Sequence, residues 1–151
     1  MTRVHHTALC PADLEASLRF YRDGLGFSVL MDHEFDGDWP GLFDAPTDRL
    51  RAVFLGDPDR HGAGIVELVG FAEAAPAVAA PAPAAPPAFG FFLLSLYLPD
   101  VGAALERLAA LGLGGVPRRI TVPGPGGRAV AMATVRDPDG VLVELVEADA
   151  S

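Results

Sequence analysis

The chain is poor in cysteine, in positive charge and in long apolar runs. Its single cysteine, Cys10, excludes an intrachain disulfide and fits a reducing compartment, so a cytoplasmic location is expected. Eleven Lys and Arg stand against 20 Asp and Glu, for a formal net charge of −9. So acidic a chain offers no electrostatic footprint for nucleic acid or for an anionic membrane surface, and neither is expected as a partner. The longest apolar run, Phe89 to Leu98, has about half the length of a bilayer span. Behind its one basic residue, the start Met1-Thr2-Arg3-Val4-His5-His6 has no apolar stretch, so no signal peptide is expected.

What the chain does have is apolar content and chain breakers. Half of its 151 residues are hydrophobic, enough to bury a core without disulfide staples. It also carries 17 Gly and 14 Pro, a share that suits an ordered protein only if they are concentrated in particular places. One such place is Ala72 to Ala88, AEAAPAVAAPAPAAPPA, where five prolines forbid a regular helix and a strand. This stretch reads as an extended, semi-rigid linker. It divides the chain into a module at 1–71 and a module at 89–151, expected to form one compact domain together.

The two modules repeat one pattern. An apolar strand, Val4 to Cys10, leads to Asp13 and a helical stripe of Leu14, Leu18, Tyr21 and Leu25. A second, Phe91 to Leu98, leads to Asp100 and a stripe of Val101, Leu105, Leu108 and Leu111. Asp13 and Asp100 read as N-caps that accept from free helix amides. Glycines close both helices, Gly24 and Gly26 in one, Gly112 and Gly114 in the other. Middle strands are expected at Phe27 to His33 and Arg118 to Val122. Asp57-Pro58-Asp59 and Asp137-Pro138-Asp139 then read as turns that bring back the last strands, Ile65 to Val69 and Leu142 to Val146. Strand, helix, strand, strand, strand thus occurs twice, the pattern of an internal duplication.

Glu67 and Glu144 occupy equivalent places in the two last strands. Ile65 and Val69 share a face with Glu67, while Leu142 and Val146 share one with Glu144. A carboxylate in such surroundings loses hydration and needs a partner or a proton, unless the strand's face opens to solvent. His6 lies in the first strand with Val4, Ala8 and Cys10 on its face, whereas alternation sends His5 to the opposite side. An imidazole and two carboxylates suit first-row divalent metals; a packed histidine and two wet glutamates would be the plainer alternative.

The chain resembles the vicinal oxygen chelate superfamily, which includes glyoxalase I, methylmalonyl-CoA epimerase, extradiol dioxygenases and the fosfomycin- and bleomycin-resistance proteins. The resemblance rests on His6-Thr7-Ala8-Leu9, Asp13-Leu14, Phe20-Tyr21, Leu25-Gly26-Phe27, Asp137-Pro138-Asp139-Gly140 and Val143-Glu144-Leu145, and covers nearly the whole chain. It implies an α+β, glyoxalase-like fold in which two paired βαβββ modules form a curved mixed-sheet cup. It also implies a small-molecule ligand and a homodimer. The family's four metal positions fall on His6, Glu67, Leu93 and Glu144. Leu93 departs from the pattern, which usually has a histidine there. The repeat points the same way: an offset of 87 residues takes Asp13 to Asp100 and His6 to Leu93.

Two functional readings follow. In one, His6, Glu67 and Glu144 hold a divalent ion (Mn, Fe, Co, Ni, Zn or Mg), and Glu144 serves as general base of an isomerase or lyase. In the other, the cup is metal-free and sequesters an apolar or aromatic compound, as bleomycin-resistance proteins do, with Leu93, Phe91, Phe35, Trp39 and Phe43 as walls. An extradiol dioxygenase is disfavoured, since the histidine replaced is the second one it would need. Glutathione is disfavoured by the acidic loop from Glu34 to Arg49. Arg118, Arg119 and Arg128 are candidates to meet a substrate carboxylate, and His33 and His61 are candidates to reach the cup.

Overall fold

The computed structural model of the chain describes residues 1–74 and 90–148. Most of the expected Ala/Pro linker therefore lies outside the described residues. By its internal contacts the chain divides into two compact units, Met1–Ala79 and Ala80–Ser151.

The first unit runs β1 (His6–Leu9), α1 (Leu14–Leu18), a π-helical segment (Arg19–Gly24), β2 (Ser28–Asp36), α2 (Trp39–Phe43), β3 (Arg49–Gly56) and β4 (Ile65–Phe71). The second runs β5 (Leu94–Leu98), α3 (Val101–Ala110), β6 (Gly114–Pro123), a 3-10 turn (Pro125–Gly127), β7 (Ala129–Arg136) and β8 (Leu142–Glu147). Each unit builds one four-stranded mixed sheet, in the orders β1-β4-β3-β2 and β5-β8-β7-β6. The two orders are the same topology. In each, the first strand lies parallel to the last and the other pairs are antiparallel. The fold class is α+β, and the repeated strand–helix–three-strand order is as the sequence predicts, with the short α2 added to the first copy.

Both N-caps form as expected. Asp13 accepts from the amide of Ala16 at 3.1 Å and Asp100 from that of Ala103 at 2.8 Å. The first helix then departs from expectation. It widens at Arg19 into a π-helical segment, with the Leu25 amide reaching Phe20 O at 3.0 Å. The widening coincides with complete burial of two consecutive aromatics, Phe20 and Tyr21, whose rings meet edge-on. Gly26, at φ 88, lets the chain leave the helix in a conformation that other residues adopt at a cost.

One face of each sheet is dry and packs on the helices. In the first unit Val53, Leu55, Val66 and Leu68 are buried together with Leu18, Phe20 and Tyr21; in the second, Ala133, Val135, Val143 and Leu145 are buried with Val101, Leu105 and Leu108. Full burial of a Val, Leu or Phe side chain contributes about 1.5–3 kcal/mol. Arg51, at the rim of the first dry face, donates to both oxygens of Asp32 at 2.8 and 2.7 Å and to Glu15 of α1 at 3.3 Å. These hydrogen bonds hold the Asp32 carboxyl below the usual carboxylate range and push the Arg51 guanidinium further up.

The Asp-Pro-Asp segments form the expected turns. The Asp57 side chain accepts from the amide of Asp59 at 2.9 Å, and that of Asp137 from Asp139 and Val141, each at 2.9 Å. Several strand ends move. β1 and β5 are shorter than predicted, starting at His6 and Leu94, while β2 and β6 are longer. The stretch expected as one acidic loop, Glu34 to Arg49, is largely built: β2 extends to Asp36, α2 follows, and β3 opens at Arg49.

Candidate functional site

The faces turned away from the helices carry the polar residues singled out by the sequence. In the first unit Ala8, Glu67, Phe54 and Met31 are lateral neighbours across the four strands. In the second unit the corresponding row is Ser95, Glu144, Thr134 and Arg118. The strand register therefore superimposes Ala8 on Ser95 and Glu67 on Glu144. The same offset along the first strands takes His6 to Leu93, as the repeat predicts.

The structure brings His6 to Glu67. His6 Nε2 lies 3.2 Å from Glu67 Oε2, and the two side chains are 38% and 15% exposed. The contact follows from the parallel pairing, which places His6 opposite Ile65 and one residue pair from Glu67 on the same face. Phe54 supports the imidazole, with ring centroids 5.5 Å apart. The other ring nitrogen of His6 is also engaged: His5 Nδ1 and His6 Nδ1 share a hydrogen bond of 2.9 Å. His5 does not turn to the opposite side, as strand alternation predicts. β1 begins only at His6, so the alternation does not extend back to His5, and its ring lies edge-on to both His6 and Phe54.

Glu144 is held differently. Ser95 donates its hydroxyl to Glu144 Oε2 at 2.6 Å, a short, charge-assisted bond. Oε1 is left without a partner among the described residues. Leu93 stands just before β5, half-buried, and contributes no donor atom. Among the described residues, no group of three or more His, Cys, Asp and Glu side chains is gathered as a metal ion would need. The structure shows two polar pairs, His6 with Glu67 in the first unit and Glu144 with Ser95 in the second.

The remaining candidates divide. His33 pairs with Ala52 on the same face as Phe54 and Glu67, with its ring edge-on to Phe35. His61 stays exposed in the turn between β3 and β4. Trp39 and Phe43 stack on each other within α2 at 5.8 Å, and the Trp39 indole donates to Phe35 O at 3.3 Å. Phe91 is 68% exposed and precedes β5. Arg118 lines a pocket together with Glu144, whereas Arg119 pairs with Ala133 and so faces the other way. Arg128 ends the 3-10 turn after β6. Sequence reasoning missed the roles of Ser95 and His5. The signal for Ser95 was present in the repeat, since it is the residue that matches Ala8 beside the glutamate strand.

Comparison with known proteins agrees with this architecture. Residues 3–145 match the model of the Glyoxalase/Bleomycin resistance protein/Dioxygenase superfamily. The chain is 40% identical over 147 residues to the lactoylglutathione lyase-like protein terB of Aspergillus terreus, covering 95% of this chain and 74% of that one. It is 30% identical over 148 residues to the lactoylglutathione lyase of Haemophilus influenzae, covering 96% and 92%. A crystal structure of a glyoxalase family protein from Bacillus cereus superimposes with a TM-score of 0.71 at 18% identity, over 97% of this chain and 94% of that one. The chain belongs to the Glyoxalase/Bleomycin resistance protein/Dioxygenase superfamily.

Proposed function

We propose that the protein is a divalent-metal-dependent isomerase or lyase acting on a small organic molecule in the cytoplasm, as a homodimer. The observation that carries this reading is the His6–Glu67 contact, an imidazole nitrogen and a carboxylate oxygen 3.2 Å apart on a half-exposed sheet face. Two such donors side by side suit a first-row divalent ion, and Glu144 supplies a third oxygen. The donor types fit; a fourth protein ligand is missing at Leu93, which leaves positions for substrate or water. A bound divalent ion contributes Lewis acidity toward a substrate oxygen. This chain's own residues do the rest. His5 holds His6 in one ring orientation through Nδ1. Ser95 holds the Glu144 carboxylate in place through Oε2, and Glu144 is the group that takes and returns a substrate proton. The 40% identity to a lactoylglutathione lyase-like protein supports this class of chemistry.

A second reading has its own support. With Leu93 in a ligand position and Glu144 already bonded to Ser95, a metal-free binding protein of the bleomycin-resistance type needs no further assumption. Elemental analysis separates the two. A stoichiometric divalent metal, lost in Glu67→Ala and in Glu144→Ala, is the outcome expected of the enzyme. Metal-free protein whose ligand binding is unchanged in both variants would leave only the binding protein.

A further inference from the structure

Arg118 is the one arginine flagged by the sequence that shares a pocket with Glu144. This pocket, of about 110 Å³, is lined by Arg118, Ile120, Met132, Ala133, Thr134 and Glu144. Its plan follows from strand register. Glu144, Thr134 and Arg118 are lateral neighbours on β8, β7 and β6. Arg118 and Glu144 therefore stand two strand spacings apart, about 10 Å between backbones. Met132 and Ile120 pair in the next row on the same face and supply an apolar wall. Among the described residues the Arg118 side chain makes no hydrogen bond or ion pair.

We propose that this pocket takes a small monocarboxylate, with its carboxylate on Arg118 and its hydrocarbon part against Ile120 and Met132. The guanidinium fork matches a carboxylate with two parallel hydrogen bonds. A pocket of this size has room for a short acid. The charge points to a monoanion: Glu144 lies on the same row, and a net charge of −9 opposes a dianion such as phosphate. Arg118 is thus the residue that selects the substrate. The assignment deepens the functional reading above and rests on it for the role of Glu144, but the binding itself requires no metal.

The test is an NMR titration of the full chain, stripped of divalent ions by chelation, with isobutyrate, with its neutral isostere isobutyramide and with inorganic phosphate. Isobutyrate is expected to shift the Met132 and Ile120 methyl signals, and isobutyramide to bind about tenfold more weakly or worse. Arg118→Met is expected to abolish that preference and Arg118→Lys to keep part of it, both with melting temperatures like that of the parent. Equal binding of acid and amide, unchanged binding in Arg118→Met, tighter binding of phosphate, or no shift with isobutyrate would each overturn the assignment. Failure of the metal-dependent reading looks different: the purified protein would lack metal while isobutyrate still bound through Arg118.

Discussion

Ser95 donates its hydroxyl to Oε2 of Glu144 across 2.6 Å, from the parallel strand beside it. In the first sheet the partner in register with Glu67 is Ala8, which has no hydroxyl, and Glu67 is met instead by His6 two residues earlier. The duplication has kept the carboxylate in both copies and changed what holds it, imidazole in one and hydroxyl in the other. The two glutamates can therefore be perturbed separately.

Ser95→Ala removes the group that orients Glu144 without touching a proposed ligand. Removing an outer partner of a ligating carboxylate typically weakens metal binding about tenfold or more. That loss is expected in a competition titration against a chelating dye. The fold is expected to tolerate the change, because Ser95 is exposed and one such hydrogen bond contributes about 1 kcal/mol. Unchanged metal affinity would separate Ser95 from the metal site.

Leu93→His tests the register from the other direction. If Leu93 stands where the repeat places a ligand, an imidazole there adds a donor to an incomplete set. Affinity for Zn or Ni is expected to rise by more than about tenfold, exceeding the effect of losing an outer-shell partner. Leu93 is half-buried just before β5. An affinity equal to that of the parent would remove Leu93 from the ligand positions.

The duplication, both N-caps and the interior glutamates were legible in the sequence because each is a local pattern that recurs. Asp13 and Asp100 each precede a helical stripe, and Glu67 and Glu144 each interrupt an apolar strand. What was not legible depends on packing between distant segments. Nothing local to Arg19 announces a π-helical segment; it accompanies the joint burial of Phe20 and Tyr21. The placement of the His5 ring depends on β1 starting two residues later than expected, at His6, an end effect that alternation cannot supply. Ser95 was visible, but its bond to Glu144 required the parallel register of β5 on β8. The Glu34 to Arg49 stretch read as loop from its acids, yet Pro40 near the start of α2 and the Asp38 cap to Gly41 at 2.9 Å make it partly helical.

Leu68 and Leu145 are equivalent in the repeat and both are fully buried on the dry face of their sheets. Truncation of either to Ala removes transfer free energy and leaves a cavity, a loss of about 2–5 kcal/mol. Urea denaturation of Leu68→Ala and Leu145→Ala is expected to show a loss in that range for each. A loss below about 1 kcal/mol, typical of a surface position, would contradict the assigned faces.

The Asp32–Arg51 pair gives a pH-dependent prediction with a definite sign. Hydrogen bonds from Arg51 hold the Asp32 carboxyl below its ordinary value. A carboxyl lowered in the folded state contributes stability that is complete above its unfolded pKa, about 3.9, and is lost as pH falls through the lower native one. Asp32→Asn is therefore expected to be less stable than the parent at neutral pH, with a gap that holds down to mildly acid solution and closes only in strong acid. The side chains are 41% and 36% exposed, so solvent screening limits the gap to under about 1 kcal/mol. Glu15, 3.3 Å from Arg51, limits it further by remaining as a partner. Denaturant midpoints of both proteins across a pH series check this. A gap that persists undiminished at about pH 2, well below the ordinary carboxylate range, would mean that Asp32 acts through packing and not through its charge.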